Sequence, residues 1–397
     1  MDLADSIYES VNRDAAIRTR LELQPAGGMG TKVFPPTYQG PRNSAVYATE
    51  QRKIDNETVK KCVVLDSVQS QANRMEEALL NSVRAGDLTL PLIQSDFTDE
   101  FPDIGRISTL DAPHRIADAI FRESNYDGTP FRQTEYGQMF ENSSMEDASG
   151  LYRICPTALL FGAWDSTGQR GAQQGTKFPR CITSEVIGVG VEKGVDPTGR
   201  ISPIDITGTE SELYETESGQ LTYDEDEAIE GADSMKPSEA NLGNVTPSFH
   251  DENSRDGETL PGGVTMEYGE LSTVISLSGL RRLSFPENGE PSPERTQLGR
   301  AALATLGLIA AAKQYEDGYS FRSRCDLVPQ EQLSFELVKR DGDVQSIEAD
   351  ADMLVQAFNT LHGRAADHGL DWAFETLNLV PTETLIGEVS RSRTQVE

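Results

Sequence analysis

Twelve consecutive residues, AALATLGLIAAA at 301–312, carry no charge and leave no side of a helix polar, with Arg300 and Lys313 closing the run. At 1.5 Å per residue such a helix covers about 18 Å, too little for a bilayer core of roughly 30 Å. A helix without a polar face is equally out of place at a protein surface. The run therefore predicts a helix over 294–313 that other elements enclose, and a chain of 397 residues is long enough to build that enclosure.

Other segments supply the covering layers. Residues 5–22 read as an amphipathic helix that ends at the Pro/Gly stretch LQPAGGMG. TKVFPPTYQGPRNS at 31–44 reads as an exposed loop and KCVVLD at 61–66 as a buried strand, followed by a helix with Ala72, Met75, Leu79, Leu80 and Val83 as its apolar stripe. Ile116, Ala117, Ile120 and Phe121, with Pro113 in the first turn, predict a second helix over 111–122. TALLFGAW at 157–164, CITSEVIGVGV at 181–191, ELSTVISL at 270–277, 321–328 and 332–338 read as strands, and Met353, Leu354, Ala357, Phe358 and Leu361 mark a final amphipathic helix. This order matches an α+β fold with a ferredoxin-like or RRM-like core and large insertions, in one elaborated domain over 1–397.

Charge narrows the choice of partners. The formal net charge is −30, which by itself argues against nucleic acid, because phosphate binding is driven by Lys and Arg. The distribution weakens that objection. Residues 209–260 hold fifteen acids against two bases, and only nine of the 35 basic residues are Lys, the rest being Arg, which suits bidentate phosphate contacts. Two readings account for the acidity equally: a single acidic insertion at 209–260, or a surface suited to a concentrated-salt cytoplasm. The opening MDLADSIYES lacks a basic region followed by an apolar core, which predicts a cytoplasmic protein without a membrane partner. Cys62, Cys155, Cys181 and Cys325 form no CxxC pair and have no nearby His pair, so neither a metal nor a disulfide framework is predicted, and no cofactor motif stands out.

Four stretches carry candidate chemistry. In LDSVQSQANRMEEAL at 65–79 a strand runs through Ser67, Gln69, Ser70 and Gln71 into a helix, with Asn73 and Arg74 in reach of anything bound at its N-terminus. Free N–H groups and the positive end of the helix dipole favour an anion there, although a plain solvated cap with Ser70 as N-cap explains the same residues. The loop 165–180 contains GAQQGTK, which fails as a Walker A motif because three residues, not four, separate Gly171 from Gly175 and Phe178 follows Lys177. Arg170, Lys177 and Arg180 remain candidate phosphate contacts. SGLRRLSF at 278–285 and SFRSRCDL at 320–327 are further basic clusters, and Phe34, Tyr38 and Tyr47 flank Lys32 as aromatics able to stack on bases or simply to pin a loop. His114 is the histidine in the most distinctive setting, but no base or nucleophile can be assigned beside it. Asp111 reads better as a helix cap, and Asp118 as an ion-pair partner of Arg115 or Arg122, than as metal ligands.

Taken together, KVFPPTY at 32–38, LDSVQSQANRME at 65–76, LDAPHRIADAI at 110–120, DGTPFR at 127–132, FGAWDS and KFPRCITSE within 161–185, SGLRRLSF and RSRCDL resemble one CRISPR-associated family. It is the backbone subunit of the type I-G (formerly I-U) interference complex, or Cascade, in the Cas seven group of the RAMP superfamily. The resemblance covers roughly 30 to 330. It implies an RRM-like core, no catalysis, and several copies aligned on a CRISPR RNA that pairs with target DNA, alongside a large subunit and a Cas five/six-type subunit. It also implies RNA contacts from the polar turn after the first core strand, here Ser67, Gln69, Ser70, Gln71, Asn73 and Arg74, with Lys32, His114, Arg115, Lys177 and Arg180 as further candidates. A protruding β-hairpin, or thumb, falls at about 241–266. The competing expectation is a RAMP-type RNA endonuclease using His114 or an aspartate of 111–118.

Overall fold

The computed structural model describes residues 2–40, 44–165, 176–204, 206, 211–229, 231, 233–250 and 262–394. They divide into two compact units, the first made of 1–28, 64–188 and 268–397, the second of 29–63 and 189–267.

The first unit holds the α+β core. Helix α1 (Leu3–Arg13) starts at Asp2, whose carboxylate accepts the Asp5 N–H at 2.7 Å. The chain then turns extended at Asp14 and forms strand β1 (Ala16–Pro25), so the helix predicted over 5–22 is cut short. Ile17, Thr19, Leu21 and Leu23 alternate inward along β1, a period of two hidden in the sequence by Arg, Leu and Glu, all good helix formers. Strand β2 (Val59–Asp66) begins in the second unit and ends in the first. Helix α2 (Val68–Ala85), strand β3 (Ile182–Val189), strand β4 (Tyr268–Ser276) and helix α3 (Pro293–Asp317) follow. Strands β5 (Tyr319–Arg322), β6 (Cys325–Pro329) and β7 (Phe335–Val338) and helix α4 (Ala351–Asp367) complete the core.

The main sheet runs β5-β6-β1-β4-β3-β2, with β1 antiparallel to β4, β6 and β7. Its centre, β6-β1-β4-β3, with α2 between β1 and β3 in sequence and α3 between β4 and β6, has the βαββαβ order of a ferredoxin-like core. The first core strand is thus β1, and KCVVLD, expected in that role, is an added strand beside β3. A second sheet is built around Thr376–Pro381, which lies parallel to Leu92–Asp96 and antiparallel to Ser124–Tyr126.

As its composition requires, α3 is buried nearly throughout, packed by α1, α2, α4 and β4. Gly307 sits where an added Cβ would lie 3.0 Å from the Ile275 side chain, so the helix approaches β4 closely because that position has no side chain. Three other elements differ from the sequence reading. Residues 111–122 form turns, the short 3-10 segment Arg115–Ala117 and the single helical turn Ala119–Arg122, because Arg115 takes a left-handed backbone (φ 53°) and Asp118 an extended one. TALLF belongs to a helix, Pro156–Phe161, with Pro at its start, and only Ala163–Trp164 is extended; a short apolar run does not reveal its period. The strand expected over 321–328 is a hairpin, β5 and β6, turning at Arg324 (φ 63°). Met353 lies on the exposed side of α4, and α4 is followed by the strand Thr376–Pro381 and the helix Glu383–Thr394.

His362 on α4 stacks on Trp372 with ring centroids 3.7 Å apart, and burial lowers its pKa to about 4. A folded-state pKa below the ordinary 6.5 means that the neutral ring is favoured. The stabilisation is complete above 6.5 and is lost as pH falls through 4. On acidification across that window, the melting temperature of the wild type is expected to fall further than that of His362→Phe; parallel curves would contradict this.

In the second unit, Thr37–Gln39 pairs with Ala45–Tyr47, so part of the loop expected at 31–44 is a short hairpin. Tyr38 is exposed, and the Tyr47 hydroxyl accepts the Gly263 N–H at 3.0 Å. Glu192–Lys193 pairs with Val264–Thr265, and Asp196–Arg200 with Val245–His250. The described part of 241–266 is therefore the returning side of a ribbon whose outgoing side is 192–200, while 251–261 lie outside the described residues. The described part of the acidic stretch 209–260 has little regular structure, with Leu213 buried and Glu215, Glu217, Asp224, Glu225, Asp226 and Glu227 exposed.

Candidate nucleic-acid interface

The junction of β2 and α2 is built around Asp66, which is fully buried. Its Oδ1 accepts from Ser70 Oγ at 2.8 Å, and its Oδ2 from Gln71 Nε2 at 2.7 Å and Arg74 Nε at 3.0 Å. Arg322 Nη2 reaches Oδ1 at 3.4 Å while Arg322 Nη1 donates to the Leu65 carbonyl at 2.8 Å. A carboxylate taken out of water is tolerable only with such a set of donors. Ser67, not Ser70, is the N-cap: its Oγ accepts the Ser70 N–H at 3.3 Å. By helix geometry the N–H groups of Val68 and Gln69 have no intrahelical acceptor.

Arg180 closes the other side of the junction, donating to the Val68 carbonyl and the Phe161 carbonyl, both at 3.2 Å. Beneath α2, Arg115 forks onto Glu76 with both bonds at 2.6 Å, and its third donor reaches the Gly162 carbonyl at 3.2 Å. Burial raises the Glu76 pKa to about 7, outweighing the pull of Arg115 and Arg180. Arg74 and Arg322 thus place two positive charges on the Asp66 carboxylate, and Arg180 adds a third at the Val68 carbonyl, all at the end of a helix where the dipole is also positive. The acid-rich stretch 209–260 belongs to the other unit.

The sequence-predicted residues fall into three groups. Gln71, Arg74, Arg115 and Arg180 direct their polar atoms at protein partners; Arg74 also donates to the Ser320 and Phe321 carbonyls, and Gln71 Oε1 accepts from Ser184 and Gln314. Ser67 and Ser70 are half-buried at the junction, with Gln69 and Asn73 exposed on its outer face. Lys177 and His114 are exposed elsewhere in the first unit, and Lys32 lies in the second, bonded to the Val195 carbonyl at 2.7 Å. Arg170 and the rest of 166–175 lie outside the described residues.

Of the two aspartates near His114, Asp118 caps the turn Ala119–Arg122, whereas Asp111, expected as a helix cap, caps no helix and instead closes the turn that begins at Ser108. Asp111 Oδ2 accepts the Ser108 N–H and hydroxyl at 2.8 and 2.7 Å, and Asp118 accepts the Ile120 and His114 N–H groups at 3.1 and 3.2 Å. The ion pairs expected of Asp118 go elsewhere, Arg115 to Glu76 and Arg122 to Glu123. Among the described residues no group of three or more His, Cys, Asp or Glu is placed to hold a metal, and all four cysteines are buried and free of disulfides. No helix among the described residues is long and apolar enough to cross a membrane.

An arginine-framed helix N-terminus with exposed amides is suited to a phosphodiester backbone. Residues 17–193 match the family model of the CRISPR-associated protein GSU0053. That stretch is a little under half of the chain and includes Asp66, all of α2, Arg115 and Arg180; Arg322 lies beyond it. The similarity indicates a role in CRISPR defence. No curated protein matches the chain. Sequence reading missed Asp66 as the organising group, although an acid directly before a Ser cap at a strand end is a usable signal.

Proposed function

We propose that the chain is a non-catalytic, CRISPR RNA-binding backbone subunit of a type I-G Cascade-like complex in the cytoplasm. Copies line up along the guide, which pairs with target DNA, and a large subunit and a Cas five/six-type subunit complete the assembly. The observation that carries this reading is the β2–α2 junction, which offers amides, hydroxyls and first-turn N–H groups inside a frame of arginines, with no demand for net positive charge over the whole chain. The match to a CRISPR-associated family supports it. Sequence specificity then belongs to base pairing, and the protein reads backbone and shape. The ribbon 192–200/245–250 serves as the thumb in this reading.

Gln69→Ala/Asn73→Ala is expected to weaken binding of a fluorescein-labelled single-stranded RNA by about tenfold, the scale of one hydrogen bond to a charged group. Because both side chains are neutral, the slope of log affinity against log salt should not change. The melting temperature should also stay put, since both residues are exposed. Bound RNA should keep its length during incubation with magnesium. Unchanged affinity would remove the junction from the interface, and shortening of the RNA that disappears in His114→Ala would favour the endonuclease.

A further inference from the structure

We infer that Trp164 is a stacking platform for an unpaired base of single-stranded nucleic acid, with Lys177 beside it for the adjoining phosphate. The inference rests on the RNA-binding reading above and adds a residue to it. Trp164 is 64% exposed, although Leu159, Leu160 and Phe161 just before it are buried. It sits on a two-stranded ribbon in which Ala163 pairs with Phe178, both inward, and Trp164 pairs with Lys177, both outward. Lys177 Nζ lies 5.3 Å from the indole centroid.

A lone surface aromatic is ordinary and carries no argument. Three further features set this one apart. The ribbon is fastened: the Asp165 N–H donates to the Thr176 carbonyl at 2.9 Å, and the Asp165 side chain is buried and paired with Arg132. At Gly162 (φ 86°) an added Cβ would come within 3.1 Å of the Arg180 nitrogen and the Phe178 carbonyl, so the strand before Trp164 is held against the strand after Lys177. Arg180, two residues past Phe178, bonds to the Val68 carbonyl at the first residue of α2, which ties the ribbon directly to the candidate phosphate site. An indole held on a fastened ribbon, with a cation at one face and a link through Arg180 to the first turn of α2, combines the stacking surface and the charge that single-stranded nucleic acid requires. A protein partner would need an apolar patch around the indole, whereas its outward neighbour in register is a lysine.

The chain has two tryptophans, and Trp372 is packed on His362, so emission from the exposed indole is separable. Titration with oligo(A) RNA is expected to quench the wild-type fluorescence, Trp164→Phe to abolish the quench while keeping affinity within about threefold, and Trp164→Ala to weaken binding about tenfold, as loss of one stacked base does. Fluorescence anisotropy of labelled RNA supplies the affinity independently. RNA that binds the wild type without quenching, a quench that survives in Trp164→Phe, or unchanged affinity in Trp164→Ala would overturn the inference and leave the RNA-binding function standing. A Trp164→Ala variant that keeps RNA affinity but loses a co-purifying protein would instead assign the indole to a protein contact, also overturning it. A wild type that binds no RNA would sink the proposed function together with this platform.

Discussion

Arg115→Ala is expected to lower the unfolding free energy by about 3–5 kcal/mol, the usual cost of removing one partner from a buried ion pair. Arg115 and Glu76 are 7% and 2% exposed, and the guanidinium makes two bonds to the carboxylate and a third to the Gly162 carbonyl. The pair also holds Arg115 in the left-handed region, a conformation that costs a non-glycine residue roughly 1–2 kcal/mol. The loss should depend on pH in a definite sense. Glu76 titrates near 7 in the folded chain against 4.5 when unperturbed, so its contribution is complete below 4.5 and declines as pH rises through 7. Without Arg115 its folded-state pKa moves higher still, and the decline continues to higher pH. Chemical denaturation at pH 6 and pH 8 should therefore show a larger deficit for Arg115→Ala at pH 8. The double variant Glu76→Gln/Arg115→Met should recover most of the stability, because it leaves no buried charge unpaired. An equal deficit at both pH values would mean that Glu76 is not the group left exposed to the loss.

The same residue shows where sequence reading stops. Around 111–122 the apolar spacing is helical, yet a buried ion pair with a residue 39 positions away overrides it and breaks the segment into turns. No local pattern contains that information. Strand β1 was lost for a different reason, since its outward residues are the ones with high helix propensity, and Arg18 and Arg20 pair across the sheet with Glu336 and Glu270. The elements that were readable, α2, β3, β4, α3 and α4, have long or uninterrupted apolar patterns that fix both their period and their burial. Their order was enough for the α+β class, while the strand order β6-β1-β4-β3 depends on pairings far apart in sequence.

For the candidate site, the polar turn was visible as a string of donors, but not the division of labour within it. Donors on the inner side of the helix, Gln71 and Arg74, serve Asp66, and donors on the outer side, Gln69 and Asn73, face solvent. Only the fold distinguishes them, because it is β5 that brings Arg322 and the Ser320 and Phe321 carbonyls to the inner side. Trp164 is not singled out by the sequence because it closes the apolar run TALLFGAW, in which nothing marks its last aromatic as exposed.

Asp66→Ala separates the scaffold from the interface most sharply, because stability and binding electrostatics make opposite demands on it. Its removal leaves Gln71 Nε2 and Arg74 Nε without their acceptor and Arg322 with one partner fewer, for an expected loss of about 3–5 kcal/mol. Gln71 is further tied to Ser184 and Gln314, and Ser184 lies 2.7 Å from Thr273, so the disturbance should reach β3, β4 and α3. Asp66→Asn keeps the shape and one acceptor, but its amide opposes donors already in place, and about 2–3 kcal/mol should be lost. Both variants make the junction one charge more positive. If the arginines there act only as a field, RNA affinity of the folded protein should rise, with a steeper salt dependence. If Asp66 fixes where the first turn of α2 and its arginines sit, affinity should fall severalfold despite the added positive charge. The second outcome is expected, because hydrogen-bond geometry at a helix N-terminus tolerates little displacement while a screened surface charge changes binding only modestly. A rise in affinity at temperatures where the variants remain folded would show that the carboxylate opposes RNA and has no part in shaping its site.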